Sequence, residues 1–209
     1  LLHGLSKQNS LKYEVFVLVQ KNQNTDFVPE KFKKIVCQSE FLNPSEWFEV
    51  PKILKKNRIN LFHSPTYCSF KFLPCPWVVT IHDLNHLTYG GWSQKIYYRL
   101  FLKPFAFKAK QIVSVSEFSK KEISHWLDLP ESDIQVAYNA FYSPDSWKLT
   151  APEIQKTLKE GDLQSGGYFF TLAPHKKHKN LLLLREAYLL AKQKNPQLSP
   201  WVITTEEAE

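Results

Sequence analysis

Three titratable side chains, His82, Asp83 and His86, follow the apolar run Trp77–Ile81 in PWVVTIHDLNHLTYGGW, a run in which only Thr80 is polar. Such a group could hold a metal, act as an acid–base pair, or simply mark the loop after a buried strand. A metal site needs several converging N, O or S ligands. His82 and His86 are four apart, but the interval reads Asp-Leu-Asn, without the glutamate of the His-Glu-x-x-His zinc pattern. No metal is assigned. A His-Asp metallohydrolase would place partner His and Asp residues on helices, whereas this pair follows a strand. A Ser-His-Asp triad needs a nucleophile elbow, yet GxSxG is absent and Ser116 lies in VSVSEF. Two readings of His82 stay open: a ligand-facing imidazole, or a structural one hydrogen-bonded at a strand end.

The elements that must position these groups are legible as short apolar runs alternating with amphipathic stretches. Strands are predicted at Tyr13–Val19, Lys34–Cys37, Ile59–Phe62, Trp77–Ile81, Gln111–Val115, Ile134–Tyr138, Tyr168–Leu172 and Trp201–Thr204. Helices are predicted at Ser45–Lys56, Ser93–Lys110, Glu117–Leu127, Pro152–Glu160 and Asn180–Lys194. That alternation predicts an α/β fold: a parallel sheet with helices on both faces. Ser116 can cap the following helix, with Ser119 and Glu122 as an alternative capping box. Pro130 marks that helix's stop, and Pro104 should kink or split the Ser93–Lys110 stretch. Successive strands end at His63, at His82 and Asp83, at Ser116, at Asn139, and at Ala173 ahead of PHKKHKN. In open α/β sheets ligands bind outside the carboxyl edge, often against helix N-termini. Lys176, Lys177 and Lys179 beside a helix start suit a phosphate or diphosphate; the bland alternative is a solvated basic loop.

Composition bounds the function classes. The 209 residues are 43% hydrophobic and 22% charged, enough for a sizeable core. No run approaches a membrane span, and LLHGLSKQNS lacks the features of a signal or transit peptide. Cys37, Cys68 and Cys75 show no CxxC pairing, which favours a reducing compartment and small semi-buried hydrophobes. The net charge of +7 suits anionic partners, but no nucleic-acid recognition signature is present, so no nucleic-acid partner is expected. Both ends read as cut, so a segment of a longer chain is expected.

Four segments in order, VVTIHDL, IVSVSEFSKKEI, IQVAYNAF and YFFTLAPHKKHKNLLLLREAY, resemble the signatures of GT-B-fold glycosyltransferases, most closely the retaining family 4 (glycosyltransferase group 1), which includes many mannosyltransferases of cell-surface polysaccharide synthesis. The likeness runs from about Ile59 to Tyr188. It implies two Rossmann-like domains facing a cleft: residues 1–145 as a nearly complete acceptor-side domain lacking its first strand, 146–166 as linker, and 167–209 as the first βαβ part of the nucleotide-sugar domain. It implies that His82 contacts the transferred sugar and acts in catalysis, that His63, Asp83, Ser116 and Asn139 line the substrate side, and that Ala173, Lys179 and Asn180 meet the donor diphosphate. Asp83 would fix the turn or orient His82.

The implied reaction moves a hexose, mannose-like, from a nucleoside diphosphate sugar to a hydroxyl of a saccharide or lipid-linked acceptor. No metal or other cofactor is implied, and the implied place is the cytoplasm, at the inner face of the membrane. The chain departs from the pattern in two places: Asn139-Ala140 replaces Asn-Gly, and Ala173 stands where glycine is frequent. The arginine often found shortly before the lysine is not evident. The family's glycine-rich loop would precede Leu1, and its acidic motif would follow Glu209. A non-catalytic or degenerate nucleotide-sugar or phosphate-binding module is the alternative. A peripheral membrane contact through WSQKIYYRLFLKPFAFKAK, aromatic and basic like an interfacial helix, stands beside the simpler reading of a core-facing helix with basic edges.

Overall fold

A computed structural model of the chain describes residues 1–8, 12–40, 43–66, 70–140, 148–172 and 179–204. Two compact units result, Leu1–Asn139 and Ala140–Glu209.

Among the described residues the first unit holds six strands, all paired in parallel. Strands β1 (Phe16–Gln20) and β2 (Lys33–Cys37) form one pair, with Phe16 opposite Lys33. Strands β3 (Phe62–Ser64), β4 (Trp77–Ile81), β5 (Gln111–Ser114) and β6 (Ile134–Val136) form a four-stranded sheet in sequence order. The single sheet expected from the sequence is thus hydrogen-bonded in two blocks. Helix α1 (Leu2–Ser6) packs Leu2 and Leu5 beside the buried Val19, Val28 and Phe32. Helix α2 (Glu46–Lys56) tolerates Pro51 and buries Val50 and Leu54 against Cys37 and Phe70.

The β3–β6 sheet is the core of the unit. Val79 and Ile81 are fully buried on β4, with Ile112 on β5, Ile134 on β6 and Tyr98, Leu102 and Ala106 from the covering helices. Near-continuous apolar strands suit this burial on both faces. Helix α6 (Glu117–Leu127) forms where the sequence places it. Ser116 is its cap: the Ser119 backbone N–H donates to Ser116 Oγ at 3.0 Å, so the alternative capping box is not used. Ile123 and Leu127 face the sheet, each such burial contributing about 2 kcal/mol. The helix closes on Asp128 in the left-handed region (φ 59°), where Leu129 N–H donates to the Ser124 carbonyl, two residues before Pro130.

One expectation is corrected and the split expected near Pro104 is located. The strand expected over Ile59–Phe62 begins only at Phe62, because Ile59 N–H closes helix α2 by donating to the Leu54 carbonyl. The helix expected over Ser93–Lys110 is divided into α4 (Trp92–Tyr97), a π-helical turn (Tyr98–Leu102) and α5 (Lys103–Ala106), after a short α3 (Asn85–Thr88). Pro104 has no N–H for the Leu100 carbonyl and its ring crowds that group, and the widened turn lies just upstream.

The second unit contains α7 (Ala151–Glu160), β7 (Phe169–Leu172), α8 (Leu181–Lys194) and β8 (Trp201–Thr204). Helix α7 starts with a capping box: Thr150 N–H and Oγ1 both donate to the Glu153 carboxylate. Strands β7 and β8 pair in parallel, Phe169 opposite Trp201, and Trp201 Nε1 donates to Thr171 Oγ1 at 2.9 Å. A cavity of about 1040 Å³ in this unit lies between α7 and the turn after α8, at the amino edge of the strands.

Candidate active site

Parallel pairing of β3, β4, β5 and β6 puts their carboxyl ends along one edge. His82 and Asp83 follow β4 at that edge, Ser116 lies two residues after β5, and Asn139 lies three residues after β6. His63 is placed differently from the sequence reading, inside β3 rather than beyond its end.

Two hydrogen bonds organise the histidines. His82 Nε2 lies 2.9 Å from the Pro65 carbonyl oxygen, joining the end of β4 to the end of β3. A carbonyl can only accept, so Nε2 carries the proton. In the neutral ring Nδ1 is then an acceptor, on a side chain exposed at the rim. His63 Nε2 lies 2.9 Å from Thr80 Oγ1. The residue as a whole is open to solvent, yet desolvation of its ring holds its pKa below the ordinary 6.5. A His63 of that kind is neutral at pH 7 and works as a hydrogen-bonding group rather than a cation.

Asp83 uses both carboxylate oxygens on Asn85, accepting from its backbone N–H at 2.9 Å and its side-chain amide at 2.8 Å. That arrangement is an Asx turn opening α3. His86, without an assigned role in the sequence, packs its ring 5.7 Å from that of Tyr98. Among the described residues no group of three or more His, Cys, Asp or Glu could hold a metal ion. Ser116 is committed to capping α6, with its Oγ also donating to Ser119 Oγ at 3.1 Å. Asn139 and Ala140 are exposed and outside regular structure.

In the second unit Asn180 occupies the N-cap position of α8 in the left-handed region, φ 49° and ψ 41°, without a side-chain cap bond. The Leu184 N–H donates to the Asn180 carbonyl at 3.2 Å. The N–H groups of Leu181, Leu182 and Leu183 therefore have no acceptor inside the helix. Lys179 is exposed immediately before them. Ala173, with Lys176, Lys177 and His178, lies outside the described residues.

Two participants were missed from sequence. Thr80 had a signal: a lone hydroxyl in a buried strand needs a partner. The Pro65 carbonyl had none, since backbone groups carry no residue-type information.

A further clamp lies after β2. Glu49 of α2 accepts from the backbone N–H groups of Gln38 (2.8 Å) and Ser39 (2.7 Å) and from Ser39 Oγ. Those bonds, that from the Ser39 side chain first, hold its pKa down at about 2. Burial pushes the neighbouring Cys37 thiol up to about 11, so it is inert at neutral pH.

Comparison with known proteins adds a family. A model described as Glycosyltransferase Family 4 matches residues 3–141. Over 104 residues, 49% of this chain, the sequence is 29% identical to the O-antigen chain mannosyltransferase RfbU of Salmonella typhimurium, covering 26% of that protein. A glycosyltransferase from Rickettsia africae ESF-5 is a structural match at TM-score 0.46 and 16% identity, covering 85% of this chain and 55% of that one. The chain thus spans about a quarter of the curated relative's length and about half of the solved structure's.

Proposed function

The chain belongs to Glycosyltransferase Family 4, and from that premise we propose that the protein moves a hexose, mannose-like, with retention from a nucleoside diphosphate sugar to a hydroxyl of a saccharide or lipid-linked acceptor. The observation that carries this reading is the His82–Pro65 bond. It fixes the imidazole in one tautomer and leaves Nδ1 as an acceptor for a sugar hydroxyl at the rim, a role that asks for orientation before basicity. Asp83, spent on Asn85, holds the turn that carries His82. Neutral His63, one strand away, supplies a second uncharged contact on the acceptor side.

On the donor side, the bond between the anomeric carbon and the diphosphate oxygen breaks. The bond to the acceptor oxygen forms on the same face, and the acceptor proton leaves with the diphosphate. Negative charge grows on that leaving group. Lys179 and the open N–H groups at the start of α8 would stabilise it, so no metal is needed in this reading. The exposed Ala140 after Asn139 leaves that turn without glycine's freedom and narrows the backbone conformations it can take. The cytoplasm, where nucleotide sugars are available, is the proposed place of the reaction; among the described residues no helix is long and apolar enough to cross a membrane.

The test is transfer from UDP-, GDP- and ADP-hexoses by the full-length protein. His82→Ala should lower turnover by about two orders of magnitude, and Lys179→Ala should weaken donor binding. Wild-type turnover of the first variant removes His82 from the site; unchanged donor affinity of the second removes Lys179 from the diphosphate.

A further inference from the structure

Exposed aromatic rings stand on three elements that leave the carboxyl edge of the four-stranded sheet. Trp92 opens α4 beyond β4, Phe118 lies in the first turn of α6 beyond β5, and Tyr138 lies two residues beyond β6. They are 80%, 72% and 70% exposed. Among the described residues none of the three has a ring–ring contact, whereas Tyr97, Tyr98 and Phe101 of the covering helices pack on one another. Each exposed ring is nonetheless carried on a fixed backbone. The turn before Trp92 is held by Tyr89 N–H, which donates to the Asn85 carbonyl at 2.7 Å, and by Gly91 N–H, which donates to Gln94 Oε1 at 2.9 Å. Phe118 follows the Ser116 cap. Beside Tyr138, Ala137 N–H donates to the Ser114 carbonyl at 2.8 Å.

We propose that these three rings form a stacking platform for the acceptor, and that the acceptor is an oligosaccharide of several residues rather than a single sugar. The proposal rests on the transfer reading of the same rim and names its acceptor class. A pyranose is uncharged and amphipathic: its C–H faces are apolar and its girdle is hydroxyl. The faces stack on exposed rings, and the hydroxyls pair with neutral donors and acceptors. Both kinds of partner lie on this edge: the rings at three strand ends, with His82 Nδ1 and the exposed Asn139 amide. The charges beside them are already engaged, Asp83 by Asn85 and Lys120 with Glu117 at 3.9 Å. An anionic lipid surface or a phosphorylated ligand would find no unpaired ammonium among these groups. The ends of β4 and β6 are two inter-strand steps apart, about 10 Å at about 4.8 Å each. One hexose cannot lie on rings carried by all three ends; a chain of several can.

Calorimetry of the full-length protein with a ladder of α-linked manno-oligosaccharides, from the monosaccharide to the pentasaccharide and without donor, tests the platform. Affinity should rise with chain length. Trp92→Ala, Phe118→Ala and Tyr138→Ala should each weaken the pentasaccharide by about two- to tenfold and the monosaccharide less. Trp92→Phe, which keeps a ring, should recover most of the loss. Phe72→Ala, which removes an equally exposed ring from the loop before β4, should bind as wild type does. Far-UV circular dichroism checks each fold, and should one variant fail to fold, the other two carry the test. The same ladder offered as acceptor separates the platform from the reading it rests on. Transfer with one kcat/KM at every length overturns the platform alone; length-dependent binding without transfer overturns the transfer reading alone. The platform is also overturned if no oligosaccharide binds, if the ring variants bind the pentasaccharide as wild type does, or if Phe72→Ala loses as much. It is overturned too if Trp92→Ala loses phosphatidylglycerol vesicles while keeping the oligosaccharides.

Discussion

Helices α6 and α8 each join two parallel strands, yet α6 buries Ser119, Ile123 and Leu127 while α8 buries no residue. The strands differ in the same way. Val79 and Ile81 of β4 are wholly enclosed, whereas Phe169, Phe170 and Leu172 of β7 are each more than half exposed. Local pattern does not account for this. Helix α8 carries leucine at 181–184, 189 and 190, which wraps most of its circumference and suits cover on more than one side. The two consecutive phenylalanines of β7 point to opposite faces of its sheet. A strand–helix–strand unit thus acquires a core only from its neighbours. In the first unit the flanking strands and the α4–α5 helices supply them; in the second, among the described residues, they do not.

The largest expected effect tests that contrast directly. Ile123→Ala should destabilise the first unit by about 2–5 kcal/mol in urea unfolding, whereas Leu183→Ala on α8 should stay within about 0.5 kcal/mol. Equal costs would mean that α8 is packed as tightly as α6. Next is Gly90→Ala. A Cβ there would stand 2.2 Å from the His86 carbonyl oxygen and 2.6 Å from Gln94 Oε1, so a loss of about 1–3 kcal/mol is expected from the turn between α3 and α4. A thermal midpoint equal to wild type would show that the turn relaxes.

Helix starts provide a smaller comparison of opposite sign. Ser116→Ala removes the α6 cap and should cost about 1 kcal/mol. Asn180→Gly removes no cap bond, places glycine at φ 49°, and should be neutral or stabilising by up to about 0.5 kcal/mol. Matching losses in the two variants would refute the difference between the two starts.

A pH-dependent effect is expected at the Glu49 clamp. Folding lowers its pKa from an ordinary 4.5 to about 2, so its contribution is complete above pH 4.5 and is lost as pH falls towards 2. Glu49→Gln should therefore be less stable than wild type at neutral pH and flatter between pH 4.5 and 2. An acid limb parallel to that of wild type would remove Glu49 from the balance.

Where sequence reading succeeded, the local rules agreed. Strand β4 and helix α6 have the bounds expected, because a continuous apolar run, a serine cap and a following proline all agree there. Where it erred, two rules competed. Ile59–Leu61 reads as strand by composition, but Ile59 is taken by the end of α2, so β3 starts late and His63 lies inside it. Pro104 announced a break without saying that it would be a π turn, since a proline signals a disrupted hydrogen-bond ladder but not the form the disruption takes. At the rim, the residue types of His82 and Asp83 were legible. Their partners were not, because the choice among Pro65, Asn85 and open solvent is made by three-dimensional proximity.

The anchoring of His82 on a carbonyl has an evolutionary and experimental corollary. Every amino acid at position 65 brings the same acceptor, so a scan of side chains there registers only shifts in where the chain runs, never deletion of the bond. The contact is half invisible to mutation: it can be abolished from the imidazole alone, and sequence drift at position 65 is free to proceed wherever the loop keeps its path.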